Sequence, residues 1–330
     1  MRSSSCLACF LVVGLAACGG GGGGPSGDDD PTPDADVVTP PARGFTVTSK
    51  EVVIQPGQEI TYCYYFRTPN TEPLAIHKWS STMTPGSHHM IMFTTTNDVM
   101  PPGTVSAANC GFASGGVQNL PSWTYAAQTA ENEVALPSDD GTGKPLAQLI
   151  QPNTAAFFQM HYLNATDNPL TVSVTLNAEA LAADTAYTQT AAYVTYDNDI
   201  DVPANATNHV ESQTCDTPPN TKFWMMSTHA HRRAVKTVVK NGMPASTNIA
   251  FESDDWEHPG AKTWMQAPFY TFDGNKLTFE CTYNNAGGPR ALDGDSAATD
   301  EMCMASGYYF PATKPRLCVC INDSTCYLAP

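Results

Sequence analysis

Two histidines one residue apart, His229 and His231, stand in KFWMMSTHAH, a segment rich in apolar and β-prone residues. Side chains two apart on a strand leave from the same face. An H-x-H strand therefore offers two imidazoles to one metal ion, the plain alternative being two polar side chains on a solvated face. A second pair, His88 and His89 in TPGSHHMIMF, is adjacent. A regular strand would send those rings to opposite faces, so both reach one ion only across a bend or bulge. Pro85-Gly86-Ser87 offers such a bend. His161, in FFQMHYL with Gln159 on its own face, would complete a three-imidazole site of a kind that suits copper or zinc. No further histidine obviously joins His229 and His231, but TDEMCMASGYYF near the end carries two methionines. Methionine mostly fills cores. Its thioether is nevertheless a soft ligand that favours Cu(I) over zinc, so a His-His-Met set would be a copper site.

The elements that must position these groups read as β throughout. FTVTSKEVVIQPGQEITYCYYF is two β-prone runs around Pro56-Gly57 and predicts a hairpin. NTAAFFQMHYLN and LTVSVTLNAEA flank the turn ATDNP, and AVKTVVKNG, STNIAFES and KLTFECTYNN follow as further short strands. No long stretch has helical period. Many short strands between turn signals predict an all-β fold of two tandem antiparallel, jelly-roll-like β-sandwich domains. Residues 183–192 lose apolar alternation, which places the domains at 45–187 and 188–330. His77 reads as a polar residue near a turn and His258 as surface loop; His209 receives no role.

The first eighteen residues look like a leader: Arg2, an apolar run from Leu7 to Ala17, then LAAC. That ending is similar to a bacterial lipoprotein cleavage box, with Cys18 as the lipidated residue; an ordinary secretory leader with a chance cysteine is the alternative. The run is too short to span a membrane as a helix. Residues 19–44, rich in Gly, Asp and Pro, read as a disordered, flexible tether. An exported, membrane-anchored lipoprotein follows, on the outer membrane or cell surface of a bacterium. The formal charge of −16 would repel phosphate backbones and argues against nucleic acid as a partner. Of eleven cysteines, Cys6 and Cys9 leave with the leader. Beyond Cys18 remain Cys63, Cys110, Cys215, Cys281, Cys303, Cys318, Cys320 and Cys326. An even number in an exported chain reads as disulfides, with connectivity open.

In their order and spacing, HHM, MHY, HAH and DEMC resemble the motifs of the copper type II, ascorbate-dependent monooxygenases. The resemblance runs from about Phe45 to Cys326. It implies two copper ions per chain, one per sandwich and held apart. His88, His89 and His161 would hold the electron-supplying ion. His229, His231 and Met302 would hold the catalytic one, Met302 being the methionine of the EMC motif. Gln159 matches a glutamine of the family near the cofactor. The resemblance also implies disulfides Cys63–Cys110 and Cys281–Cys303, with Cys215 joined to Cys318 or Cys320 and Cys326 to the one left over. It departs at the substrate. Where peptide-amidating members grip a carboxylate with arginine, asparagine and tyrosine, this chain has Ser227, Met304 and Ser306. None of these is a bidentate cation, so a carboxylate substrate is disfavoured. Arg232 and Arg233 follow the motif and are expected to be solvated.

The expected activity is hydroxylation of a C–H bond in a small organic substrate, with dioxygen and a reductant such as ascorbate as co-substrates. The alternative is a non-catalytic copper-binding lipoprotein that keeps the ligands.

Overall fold

Strand alternation in this chain produces faces that must be buried on one or both sides, and the computed structural model shows how they pair. It describes residues 40–108, 110, 121–294, 296–322 and 325–329. The leader, Cys18 and the tether up to residue 39 lie outside the described residues. Apart from one short 3₁₀ turn, every described element is a strand.

Strands up to Gln189 form two main sheets. One runs in the order Gly44–Thr48, Val174–Ala180, Leu74–Met83, Leu146–Ile150, Thr188–Gln189, with Glu131–Ala135 also paired to Leu74–Met83. The other runs Val105–Ser106, Glu59–Arg67, Ala155–Leu163, Ser87–Thr95, Ser122–Ala127. Trp79 and Leu176 of the first pack against Met92 and Phe158 of the second in one buried core. From Ala191 onward a six-stranded sheet runs Ala261–Thr263, Lys222–Ala230, Cys303–Phe310, Ala191–Asp197, Arg316–Asn322, Thr325–Ala329. A four-stranded sheet, His209–Asp216, Lys276–Tyr283, Ala234–Asn241, Ile249–Ser253, covers its inner face. Phe223, Tyr193 and Phe279 fill the core between them.

The six-stranded sheet is apolar on both faces. Its outer face carries Trp224, Tyr308 and Phe310 into the first core. Trp224 stacks on Tyr308 at 5.1 Å, and the Tyr308 hydroxyl donates to the Thr124 carbonyl at 3.1 Å. This packing puts the H-x-H strand opposite the strands that bear the other histidines.

Two expectations are corrected. The runs flanking Pro56-Gly57 do not form a hairpin: Gly44–Thr48 pairs with Val174–Ala180, Val52–Ile54 with Leu170–Val172, and Glu59–Arg67 with Ala155–Leu163. The turn is present, with Gly57 at φ 70° and Gln58 N donating to Gln55 O, but it carries the chain from one sheet to another. Local turn chemistry cannot tell a hairpin from such a crossing, because both faces bury apolar residues. Nor is the pairing wholly antiparallel. Thr188–Gln189 lies parallel to Leu146–Ile150, and Ala191–Asp197 parallel to Arg316–Asn322. Their long connections permit what a short hairpin cannot.

The structure also selects among cysteine pairings: Cys63–Cys110, Cys281–Cys303, Cys215–Cys318 and Cys320–Cys326. Cys281–Cys303 and Cys215–Cys318 each tie the four-stranded sheet to the six-stranded one.

Asp197 lies in that second core, 1% exposed, with its Oδ2 lacking any hydrogen-bond partner. Burial pushes its pKa up to about 7, against 3.8 for a free carboxyl. The native state thus keeps a proton that the unfolded chain has already released, and stability falls as pH rises through that window. The slope is about 1.4 kcal/mol per pH unit, levelling above about pH 7. Asp197→Asn is expected to remove this decline, read as a smaller difference in urea midpoint between pH 5 and pH 8 than wild type shows.

Candidate metal centre

Three devices bring imidazoles together. The first is a bulge. His161 pairs with His89, but the next residue, Tyr162, pairs with Ser87, so His88 is the extra residue between them. A bulge residue escapes strict alternation, and here it turns the His88 ring to the side where His89 and His161 already point. The turn beneath it holds Ser87 against Thr84 through both its amide and its hydroxyl. Gly86 there has φ 91°, a left-handed conformation that favours glycine. The ring centroids lie 5.2 Å apart for His88–His89, 5.2 Å for His88–His161 and 5.1 Å for His89–His161. One nitrogen from each falls within 4.8 Å of the others.

The second device is plain alternation. After a bulge between Phe223 and Met225, the strand presents Met225, Ser227 and His229, with His231 just past its end, to one cavity, while Met226 and Ala230 enter the core behind. His229 and His231 rings are 5.5 Å apart. The third is the neighbouring strand, where Met304, Ser306 and Tyr308 line the same cavity, with Met302 just before its start. Met304 is directly opposite His229 in the register.

The two sets were expected to stand apart. They do not: His89 and His229 face each other at 5.5 Å, so five imidazoles form one continuous cluster with Met302 on its cavity wall. The packing of the six-stranded sheet against the first core, which no local motif encodes, sets this distance.

Several groups orient the rings. His161 Nε2 meets Glu59 Oε1 at 2.9 Å. His231 Nδ1 donates to the Asp300 carbonyl at 3.3 Å, which leaves the Nε2 lone pair free. Such outer partners orient metal-bound histidines and fix their tautomers. Neither was found from sequence. Glu59 is 102 residues from His161 and meets it only through strand register. His258 and Trp256 were also missed. His258 lines the cavity mouth although expected in a loop without a role, and Trp256 stacks on His88 at 5.9 Å. His77 lies within the strand Leu74–Met83 at 3.8 Å from Glu179, and His209 is bonded to Glu211; both are away from the cavity. Gln159 lines the cavity and donates to the Cys110 carbonyl at 3.4 Å.

Arg232 is exposed as expected, but Arg233 is not solvated. Its Nη1 bonds Glu301 Oε1 at 2.8 Å, with 9% of the arginine side chain and none of the glutamate exposed. Its Nε donates to Asn285 Oδ1 at 3.1 Å.

The cluster suits a metal on its own chemistry. Burial first, and neighbouring imidazoles second, lower the pKa of His88 to about 4 and hold His89 and His229 well below their ordinary value. Burial likewise brings His231 to about 4. These four rings are therefore neutral near pH 7, with lone pairs available. Nδ1 of His88 and Nδ1 of His89 stand 3.1 Å apart. Two nitrogens bound to one ion at about 2.0–2.1 Å are themselves separated by roughly 3 Å. Nε2 of His88 is buried without a hydrogen-bond partner, and such orphaned atoms are uncommon unless a ligand meets them.

Fold and site together define an all-β sandwich protein with a partly buried histidine cluster at a methionine-lined cavity. Residues 189–329 match the family profile "Copper type II ascorbate-dependent monooxygenase, C-terminal domain", which supports that family for this chain. No curated protein matches the chain. Among solved structures it is similar to the major capsid protein P2 from Bacteriophage PM2, at 6% identity and a TM-score of 0.30, over 81% of this chain and 97% of that one. It is also similar to the PBSX exported protein XepA, at 7% identity and a TM-score of 0.22, over 80% and 86%. Scores this low carry no argument about function.

Proposed function

We propose that this chain is a copper-dependent monooxygenase that hydroxylates a C–H bond of a small organic substrate. The observation that carries the reading is the convergence of His88, His89, His161, His229 and His231 in one cluster, with Met302 on the wall of the cavity it adjoins, together with the matched profile. The reading assigns His88, His89 and His161 to one copper ion and His229, His231 and Met302 to another, across domains 45–187 and 188–330. Copper held there would supply one electron per ion for dioxygen chemistry and would be restored by ascorbate or a similar donor. The overall balance is substrate, dioxygen, two electrons and two protons giving hydroxylated product and water.

The residues have separable jobs. Glu59 and the Asp300 carbonyl keep His161 and His231 in place. Trp256 covers His88. Ser227 donates its hydroxyl to the Gly260 carbonyl at 2.5 Å, which fastens the strand Ala261–Thr263 along the cavity edge. Met225, Met304 and Tyr308 give the cavity its apolar wall.

Anaerobic Cu(I) titration of the full chain tests the reading. Two tightly held equivalents are expected, falling to about one in Met302→Ala. One equivalent in the parent, or zinc held in preference, would count against it. Two equivalents without reductant-dependent oxygen uptake across a broad substrate panel would favour the copper-binding alternative.

The same reading makes the protein exported and anchored through Cys18, and its four disulfides suit an oxidising compartment. Cys18→Ala is expected to shift it from the detergent phase to the aqueous phase on Triton X-114 partition.

A further inference from the structure

We propose that Gln128 is a specificity-determining residue, and that the cavity takes an uncharged, largely apolar small molecule bearing one hydrogen-bond donor. This deepens the monooxygenase reading, on which it rests for the fate of that molecule but not for its binding.

Charge comes first. Among the described residues, those lining the cavity include no Lys, Arg, Asp or Glu. An ionised carboxylate or ammonium entering there would lose its hydration without a counter-charge, a cost of several kcal/mol. The wall is instead built from Trp123, Val134, Met225, Met304 and Tyr308, which reward apolar surface. Size comes next. The cavity measures ≈ 270 Å³, whereas about 150 Å³ admits benzene. A substituted single ring or a comparable aliphatic molecule fits.

Orientation depends on which lining polar groups remain unused. The Ser227 hydroxyl is spent on Gly260. The amide nitrogens of Gln159 and Asn132 each donate one N–H, to the Cys110 carbonyl and the Tyr125 hydroxyl. The Thr129 hydroxyl donates to the Glu131 carbonyl at 2.6 Å. Gln128 differs. It lines the cavity, and its Oε1 is buried with no hydrogen-bond partner. An acceptor withdrawn from water and left unpaired is costly to the empty protein, so a ligand that donates to it gains. A hydroxyl or amide N–H on an otherwise apolar molecule does this, and its methylated counterpart cannot. Sites with buried polar groups discriminate most strongly against analogues that leave those groups unpaired.

Binding by calorimetry to the full chain tests this, with matched neutral probes 4-ethylphenol and 4-ethylanisole and the charged probes phenylacetate and 2-phenylethylamine. The phenol is expected to bind about tenfold more tightly than the ether, and both more tightly than either ion. Gln128→Met is expected to bring the phenol-to-ether ratio close to one while leaving ether binding intact; Gln128→Ala serves as a second variant that only removes atoms. Equal binding of phenol and ether by the parent, an unchanged ratio in both variants, or tighter binding of a charged probe would overturn the proposal. Copper content of the same preparations separates the two readings. Protein that holds two copper ions but is indifferent to Gln128 refutes this inference alone. Protein that holds none but shows the Gln128-dependent preference supports this inference and refutes the monooxygenase reading.

Discussion

Replacing His229 with alanine is expected to lower reductant-dependent hydroxylation by more than about 100-fold while leaving a folded chain. The magnitude follows from position. Loss of an outer-shell partner of a metal ligand already costs 10- to 100-fold, and His229 is proposed as a ligand itself. Its half-buried ring stands between His89 and His231, 5.5 Å from each. The strand around it is held independently, by pairing with Cys303–Phe310 and by Met226 and Ala230 in the core behind. Oxygen uptake with ascorbate and a responsive substrate gives the rate, metal analysis gives the copper content, and thermal melting checks the fold. Full activity in this variant would refute the assignment. Because the two histidine sets are contiguous, copper content in His229→Ala also shows whether the remaining imidazoles hold one ion unaided.

The second large effect is structural. Glu301→Ala is expected to cost about 3–5 kcal/mol, the usual price of leaving one partner of a buried pair uncompensated. Glu301 is fully buried and accepts from both the Arg233 backbone amide, at 3.3 Å, and the Arg233 side chain. Burial raises its pKa even though Arg233 opposes that shift, which marks how much desolvation the pair must offset. The pair also has a place in the site: Arg233 lies two residues beyond His231, and Glu301 immediately precedes Met302. It therefore joins the ends of the two segments that carry the proposed His-His-Met ligands. Urea denaturation should show a lower midpoint with an unchanged slope. The double variant Arg233→Met/Glu301→Leu should recover much of the loss, because removing both charges leaves none unpaired. Recovery of stability with weaker copper binding than wild type would identify the pair as a positioning device rather than a stabilising one. A loss under 1 kcal/mol in Glu301→Ala would contradict the burial argument.

Much of the β character was legible because it is local. β-branched and aromatic runs between Gly, Pro, Asn and Asp turns leave little room for helices, and period-2 spacing alone predicts that His229 and His231 share a face. The same logic predicts that adjacent His88 and His89 need a departure from regularity, although the departure is a bulge at His88 itself rather than the bend at Pro85-Gly86. What local pattern could not supply was partnership. Pro56-Gly57 looks the same in sequence whether its flanks pair or part. Arg233 looks like any surface arginine until a glutamate 68 residues away is packed against it. His258, Trp256 and Glu59 join the histidine cluster only because loops and strands distant in sequence close over it. The cysteine pairing between Cys215, Cys318, Cys320 and Cys326 was open in the chain and is decided by which strands face each other. The sequence by itself thus determined element type, side-chain alternation and the identity of the groups able to bind metal, since these depend on residues a few positions apart. Tertiary packing alone decided the 5.5 Å approach of His89 to His229 and the unpaired acceptor of Gln128, because distances between sheets depend on every side chain between them.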